Sequence, residues 1–160
     1  MALSANKKIQ SKVAPQRVKY SVTSGAIHIF EGAIINKHDD PLTGFVKLGS
    51  DTAGEEFIGI ATEEKNIAAA DNTVAGTFVI EVIPKGSTEW VELDVTSTIT
   101  AANVGDVVFV DGDDAVDLVA GVTNNAKGQV GVIREFISAN KAWVQLVGGA
   151  GADSLGEETS

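Results

Sequence analysis

V-G-V-I-R-E-F-I (130–137), S-A-N-K (138–141) and A-W-V-Q-L-V (142–147) decide the fold class. Two runs rich in β-branched and aromatic residues flank a gap of hairpin size, and neither run carries a helical period. The same writing extends outward through the chain. Val107–Asp111 meets the dipeptide Asp111-Gly112, a strong hairpin signal, before Ala115–Val119. In Trp90–Leu93, Val91 and Leu93 fall on one side and Trp90 and Glu92 on the other. Thr77–Ile83 sets Phe78, Ile80 and Val82 on one face and stops at Pro84-Lys85-Gly86-Ser87. Phe57–Ala61, Phe45–Leu48, Ala26–Phe30 and Arg17–Val22 complete the set of short strands. Turn residues every 8–12 positions between such runs predict an all-β protein, a single small barrel or sandwich. Helix is confined to two short turns, over Glu63–Ala70 and Thr98–Val104, and no repeat of solenoid or propeller length stands out.

The 160 residues suit about one domain, large enough to hold a core without staples. With no cysteine, the chain has no disulfide, thiolate metal site or thiol nucleophile. No stretch approaches the roughly 20 apolar residues of a spanning helix, and the N-terminus has no signal-peptide core. A soluble protein without a common export signal is expected.

Twelve basic and 22 acidic residues give a net charge of −10, unevenly placed. Lys7, Lys8, Lys12, Arg17 and Lys19 make the first 19 residues purely basic. Residues 1–16 show no sustained period and read as a flexible arm that orders on a partner. Residues 148–160, Gly-rich with Asp153, Glu157 and Glu158, read as a disordered acidic tail. The β-rich body, 17–147, is acidic and repels phosphate, so nucleic acid is not an expected partner, and neither is a membrane.

Catalytic constellations are not apparent. His28 sits alone in a strand, facing either the barrel or the surface. His38-Asp39-Asp40-Pro41 reads as a turn. Asp111-Gly112-Asp113-Asp114 fails the EF-hand pattern, with Ala115, Val116 and Val122 where an acid, Gly and Glu are needed. It reads as a hairpin turn with solvated acids, a weak oxygen-ligand cation site being the alternative. The pairs Glu55-Glu56 and Glu63-Glu64 read as solvated faces. Neither a nucleophile elbow nor a phosphate loop is present, so no catalytic residue, metal or cofactor is expected. Trp90, beside Glu92, is the candidate exposed aromatic, for an interface or a ligand.

The order of features resembles a known family. V-K-Y-S-V-T-S-G-A-I (18–27), F-I-G-I-A (57–61) and F-V-I-E-V (78–82) precede I-T-A-A-N-V-G-D-V-V-F-V-D (99–111). Q-V-G-V-I (129–133) and A-W-V-Q-L-V (142–147) follow. Over residues 17–147 this resembles the capsid decoration, or cement, proteins of tailed bacteriophages. The resemblance implies a non-enzymatic protein made in the bacterial cytoplasm and carried on the outer surface of the virion. It implies binding to the major capsid protein of the expanded head, as a homotrimer bridging neighbouring subunits. The arm, through Lys7, Lys8, Ile9, Lys12, Val13 and Arg17, would dock on the shell. The alternative is a carbohydrate-binding or host-surface β module of a virion, with Trp90 and Trp143 as stacking residues. A third expectation, a small oligomeric β enzyme like the trimeric nucleotide hydrolases, lacks their Gly-rich and Asp-bearing motifs.

Overall fold

The computed structural model describes residues 2–7, 9, 17–37, 44–50, 52, 55–87, 89–118 and 128–147. The expectations at Lys8, Lys12, Val13, His38–Pro41 and the 148–160 tail lie outside these residues. Among the described residues there is no α-helix, only two 3-10 turns at Ala69–Asp71 and Ala101–Asn103. The protein is all-β.

Seven strands occupy the first half: β1 (Val18–Ser21), β2 (Ile27–Ile29), β3 (Ile34–Lys37), β4 (Val46–Leu48), β5 (Glu56–Ala61), β6 (Lys65–Ile67) and β7 (Val79–Pro84). The second half holds β8 (Trp90–Val95), β9 (Val107–Val110), β10 (Ala115–Asp117), β11 (Gln129–Ser138) and β12 (Lys141–Gln145). The last five close into a barrel in the order β10-β8-β12-β11-β9. In the first half, five strands form a sheet in the order β1-β7-β5-β3-β4. A parallel bridge from Val22 to Val46 joins the two edges of that sheet, and the Thr23 N–H donates to the Val46 carbonyl at 3.0 Å. The first half is therefore a barrel drawn shut at one seam. Strands β2 and β6 pair beside it as a separate ladder.

The two barrels are the same object built twice. With the five strands of each ring numbered in chain order, leaving out β2 and β6, both rings run first, fifth, fourth, second, third, and only the third and first are parallel. The registers match position by position. Val18 opposite Val82 answers to Val91 opposite Val144, and Ile35 opposite Gly59 answers to Val108 opposite Gly131. Ile60 opposite Ile83 answers to Val132 opposite Gln145, and Val22 beside Val46 answers to Val95 beside Val116. Even the irregularity in the second–fourth ladder recurs, at Ile58 and at Val130. The sequence carries a trace of this in V-K-Y-S-V-T-S (18–24) and V-E-L-D-V-T-S (91–97). Gly32 and Gly105 follow at the same distance in each, with φ of 89° and 100°. This duplication is longer than the solenoid- or propeller-length repeat whose absence the sequence indicates. A barrel core asks only for β-branched bulk at its inner positions, so the copies keep hydrophobic class and register while losing identity.

One hydrophobic cluster fills the first barrel, with Val22, Ile35, Val46, Ala61, Ile80 and Val82 at its centre. The second cluster contains the interior of the second barrel together with Ile34, Phe57, Ile60 and Ile83. Those four alternate with the inward residues of β3, β5 and β7, so they lie on the outside of the first barrel. The flank of the first barrel thus closes one end of the second. The Ile34 N–H donates to the Asp113 carbonyl at 2.9 Å and the Gly86 N–H to the Leu146 carbonyl at 2.6 Å across this join. Strand β3 lies between two cores, and Ile34, Ile35 and Asn36 are all at most 1% exposed.

Two local expectations change. The helical turn over Glu63–Ala70 is instead β6 followed by a 3-10 turn, held by pairing with β2. Glu55 is not on a solvated face: it is 4% exposed, ion-paired with Lys47 and bonded to Asn36 Nδ2 (3.0 Å) and Ser50 Oγ (2.8 Å). Glu63 likewise accepts the Glu81 N–H at 2.9 Å.

Candidate functional site

Strand β8 alternates as its sequence predicts, with Val91, Leu93 and Val95 buried and Trp90, Glu92 and Asp94 half-buried on the outside. The neighbouring β12 presents Lys141, Trp143 and Gln145 on that same outer face. The register sets Gln145 against Trp90, Trp143 against Glu92 and Lys141 against Asp94. Trp90 and Trp143 are therefore diagonal neighbours, a relation in which large side chains meet across strands. Strand β11 adds Arg134, whose Nε donates to Gln145 Oε1 at 2.8 Å, and Glu135 opposite Trp143.

Charge is threaded along this face. The Lys141 ammonium lies 3.3 Å from Glu92 and 3.7 Å from Asp94. Its hydrogen bond to Glu92, then the nearby Asp94 charge, raise its pKa above the ordinary lysine value. Lys7 approaches the other Asp94 oxygen at 3.3 Å and also donates to the Asp114 carbonyl at 3.4 Å. The face thus runs from two tryptophans into a line of alternating charges.

The described part of the N-terminal segment lies on the body. Leu3 N–H donates to Asp113 Oδ1 at 3.0 Å, and Lys7 N–H to the Glu31 carbonyl at 2.7 Å. Asn6 accepts the Glu31 N–H at 3.1 Å and donates to Glu64 at 2.8 Å. Leu3 packs on the first core and Ile9 on the second. The crossing at Gly32 is close, since a Cβ there would come within 2.6 Å of the Lys7 carbonyl oxygen. Of the residues expected to face a shell, Lys7 and Ile9 are engaged with the protein's own body in this conformation. Arg17 stands 3.9 Å from both Glu81 and Glu89, the latter 1% exposed, where it offsets a buried carboxylate. The sequence brings Trp90 and Lys7 to notice for separate reasons, and the fold places them on one face. Trp143 was visible as a stacking residue of the alternative, but its register with Trp90 required the β8–β12 pairing.

The other candidates resolve into structure. His28 Nε2 lies 2.8 Å from Glu64 on the surface, with its ring against Phe30. Asp111–Asp114 forms the β9–β10 hairpin turn, as its Asp-Gly dipeptide predicts. Its acids are not all solvated: Asp113 is 4% exposed and receives Leu3, and Asp111 receives Thr96 Oγ1 at 2.8 Å. Among the described residues no group of three or more His, Asp or Glu side chains is placed to hold a metal ion.

Burial raises the Asp113 pKa above its ordinary value, with the Leu3 hydrogen bond opposing. Above pH 3.8 the unfolded chain ionises this carboxyl more readily than the folded one, so its contribution to stability is lost as pH rises through the raised value. Asp113→Asn keeps an oxygen for Leu3 and removes the charge. Thermal melts from pH 3.5 to pH 7 should show the variant gaining on the parent across that range. A variant less stable than the parent only at pH 7 would show that the charge is compensated where it sits.

Comparison with protein-family models, curated proteins and solved structures finds no match to this chain.

Proposed function

We propose that this protein is a non-enzymatic capsid decoration protein. It binds the outer surface of an expanded phage head and stabilises it by bridging neighbouring subunits of the major capsid protein. A homotrimer, which multiplies weak individual contacts by avidity, is the form that suits this task. The observation that carries the proposal is the outer face of the second barrel, where Trp90 and Trp143 sit beside the Lys7–Asp94–Lys141–Glu92 line. Clustered aromatics bordered by charge are what protein interfaces use as anchors and rim. The ordered resemblance over residues 17–147 supplies the class of partner.

Strand addition by the arm would require Lys7 and Ile9 to leave their present contacts, so the barrel face is the first docking element in this proposal. Co-sedimentation with expanded, undecorated heads tests it, using the full chain, a chain lacking residues 1–16, and Trp90→Ala with Trp143→Ala. Stoichiometric pelleting of the full chain, weakened at least tenfold by the tryptophan pair, is expected. Loss only in the truncated chain, with its melting unchanged, would move the docking to the arm. Absence of pelleting with a cognate head would overturn decoration.

The same tryptophan pair favours one second reading, a virion module that stacks on sugars of a host surface. Glycan-array binding abolished by Trp90→Ala, without pelleting on heads, would select it.

A further inference from the structure

The duplication allows each barrel to be read against the other, and one of the outward positions at which they differ adjoins the third strand. Because Val46 and Val116 are equivalent, the preceding residues Phe45 and Ala115 are equivalent as well. In the first barrel the Phe45 ring lies against Gly76, where an added Cβ would stand 3.1 Å from Cε1. Gly76 is held there by donating its N–H to the Val22 carbonyl at 2.9 Å. In the second barrel the corresponding carbonyl, that of Val95, accepts instead from Asn140 Nδ2 at 3.1 Å. Both barrels therefore raise a wall beside the third strand, but only the first fills the gap with a ring. With Ala115 in place of phenylalanine, the second barrel has a cleft of about 380 Å³. Val95 and Ala115 line it together with Asp94, Asp114, Asn140 and Lys141.

We propose that this cleft receives one aromatic side chain of the partner protein, in the place that Phe45 occupies in the first barrel. The volume suits a single ring, at the small end of ligand sites. A protein partner is favoured over a free small molecule because the strand leading into the cleft's hairpin wall carries Phe136 and Ile137. These are 37% and 39% exposed and immediately precede Ser138, which lines the cleft. Asp94 and Lys141 join the cleft to the face that carries the tryptophans. The inference rests on the decoration reading for the identity of the partner, which is then the shell protein.

The test uses the full isotope-labelled chain and N-acetyl-phenylalaninamide as the ring probe, with N-acetyl-leucinamide as control. Saturable amide shifts at Asp94, Ala115, Asn140 and Lys141 are expected, with a Kd on the order of 1 mM for so small a ligand. The leucine probe should bind at least about tenfold more weakly. Ala115→Phe should abolish the shifts while leaving the melting temperature within a few degrees, since the first barrel already houses a phenylalanine there. No saturable shift in the parent, or shifts that persist in Ala115→Phe, would overturn the cleft. On heads, Ala115→Phe should weaken pelleting at least tenfold. Unchanged pelleting of that variant would overturn the cleft as a shell contact and leave decoration standing. Failure of the parent to pellet would overturn decoration, and with it the shell protein as partner, while the ring titration still decides the cleft.

Discussion

Gly131→Ala is expected to open the second barrel. A Cβ at Gly131 would fall on the Gln145 carbonyl oxygen, with Val144 Cγ1 3.2 Å away on the other side. That oxygen is backbone in the neighbouring strand of a closed ring, so it has no rotamer through which to yield. The next residue, Val132, pairs with Gln145 in the β11–β12 ladder, which fixes this approach. A loss of about 3 kcal/mol or more is expected, at the severe end of single substitutions. Urea denaturation followed by tryptophan fluorescence is the measurement, because both tryptophans, Trp90 and Trp143, lie in the second barrel. Gly105→Ala is the comparison: nothing lies within 4 Å of its added Cβ, so only the φ of 100° opposes it. That substitution should cost roughly 1–2 kcal/mol. Equal effects of the two would refute close approach as the reason for Gly131.

Phe57→Ala is expected to be felt by the barrel to which Phe57 does not belong. The side chain is on β5 of the first barrel, is 0% exposed, and packs within the core of the second. Truncating a buried phenylalanine costs about 3–5 kcal/mol in lost transfer energy and residual cavity. For a protein of this size, that lowers the melting temperature by about 10 °C. Fluorescence of Trp90 and Trp143 should report the full shift although the mutation is in the other half. A tryptophan transition that stays where it is while far-UV dichroism moves would mean that the barrels melt independently.

Much of this fold was legible. The alternation W-V-E-L-D-V marks β8 as half-buried, and the structure places Trp90 and Glu92 outside as that alternation requires. Asp111-Gly112 and S-A-N-K (138–141) mark the two tight hairpins of the second barrel. Besides β6, which reads as a helical turn, the strand that escapes notice is β3, I-I-N-K (34–37). It does not alternate because Ile34 serves one core and Ile35 the other, so both faces are apolar. Docking of the N-terminal segment was not legible either. It depends on Leu3 meeting Asp113 and Lys7 meeting Glu31, single long-range hydrogen bonds that leave no periodic mark. The cleft was hidden for a related reason. Ala115 looks ordinary until the third strands of the two barrels are aligned and Phe45 is seen to be its counterpart.

The seam of the first barrel has a consequence for how the protein behaves when concentrated or heated. A closed ring has no free strand edge, and free edges are what neighbouring copies use to polymerise. The second barrel is closed by the Ala115–Asp94 and Val116–Val95 pairs, whereas the first is joined by the one bridge at Val22–Val46. Thermal motion that parts this bridge exposes β1 on one side and the three-residue β4 on the other. The brevity of β4 then limits the template offered to another chain. The first barrel is accordingly where domain exchange or fibril growth would begin, and its seam is where a stabilising crosslink would be placed.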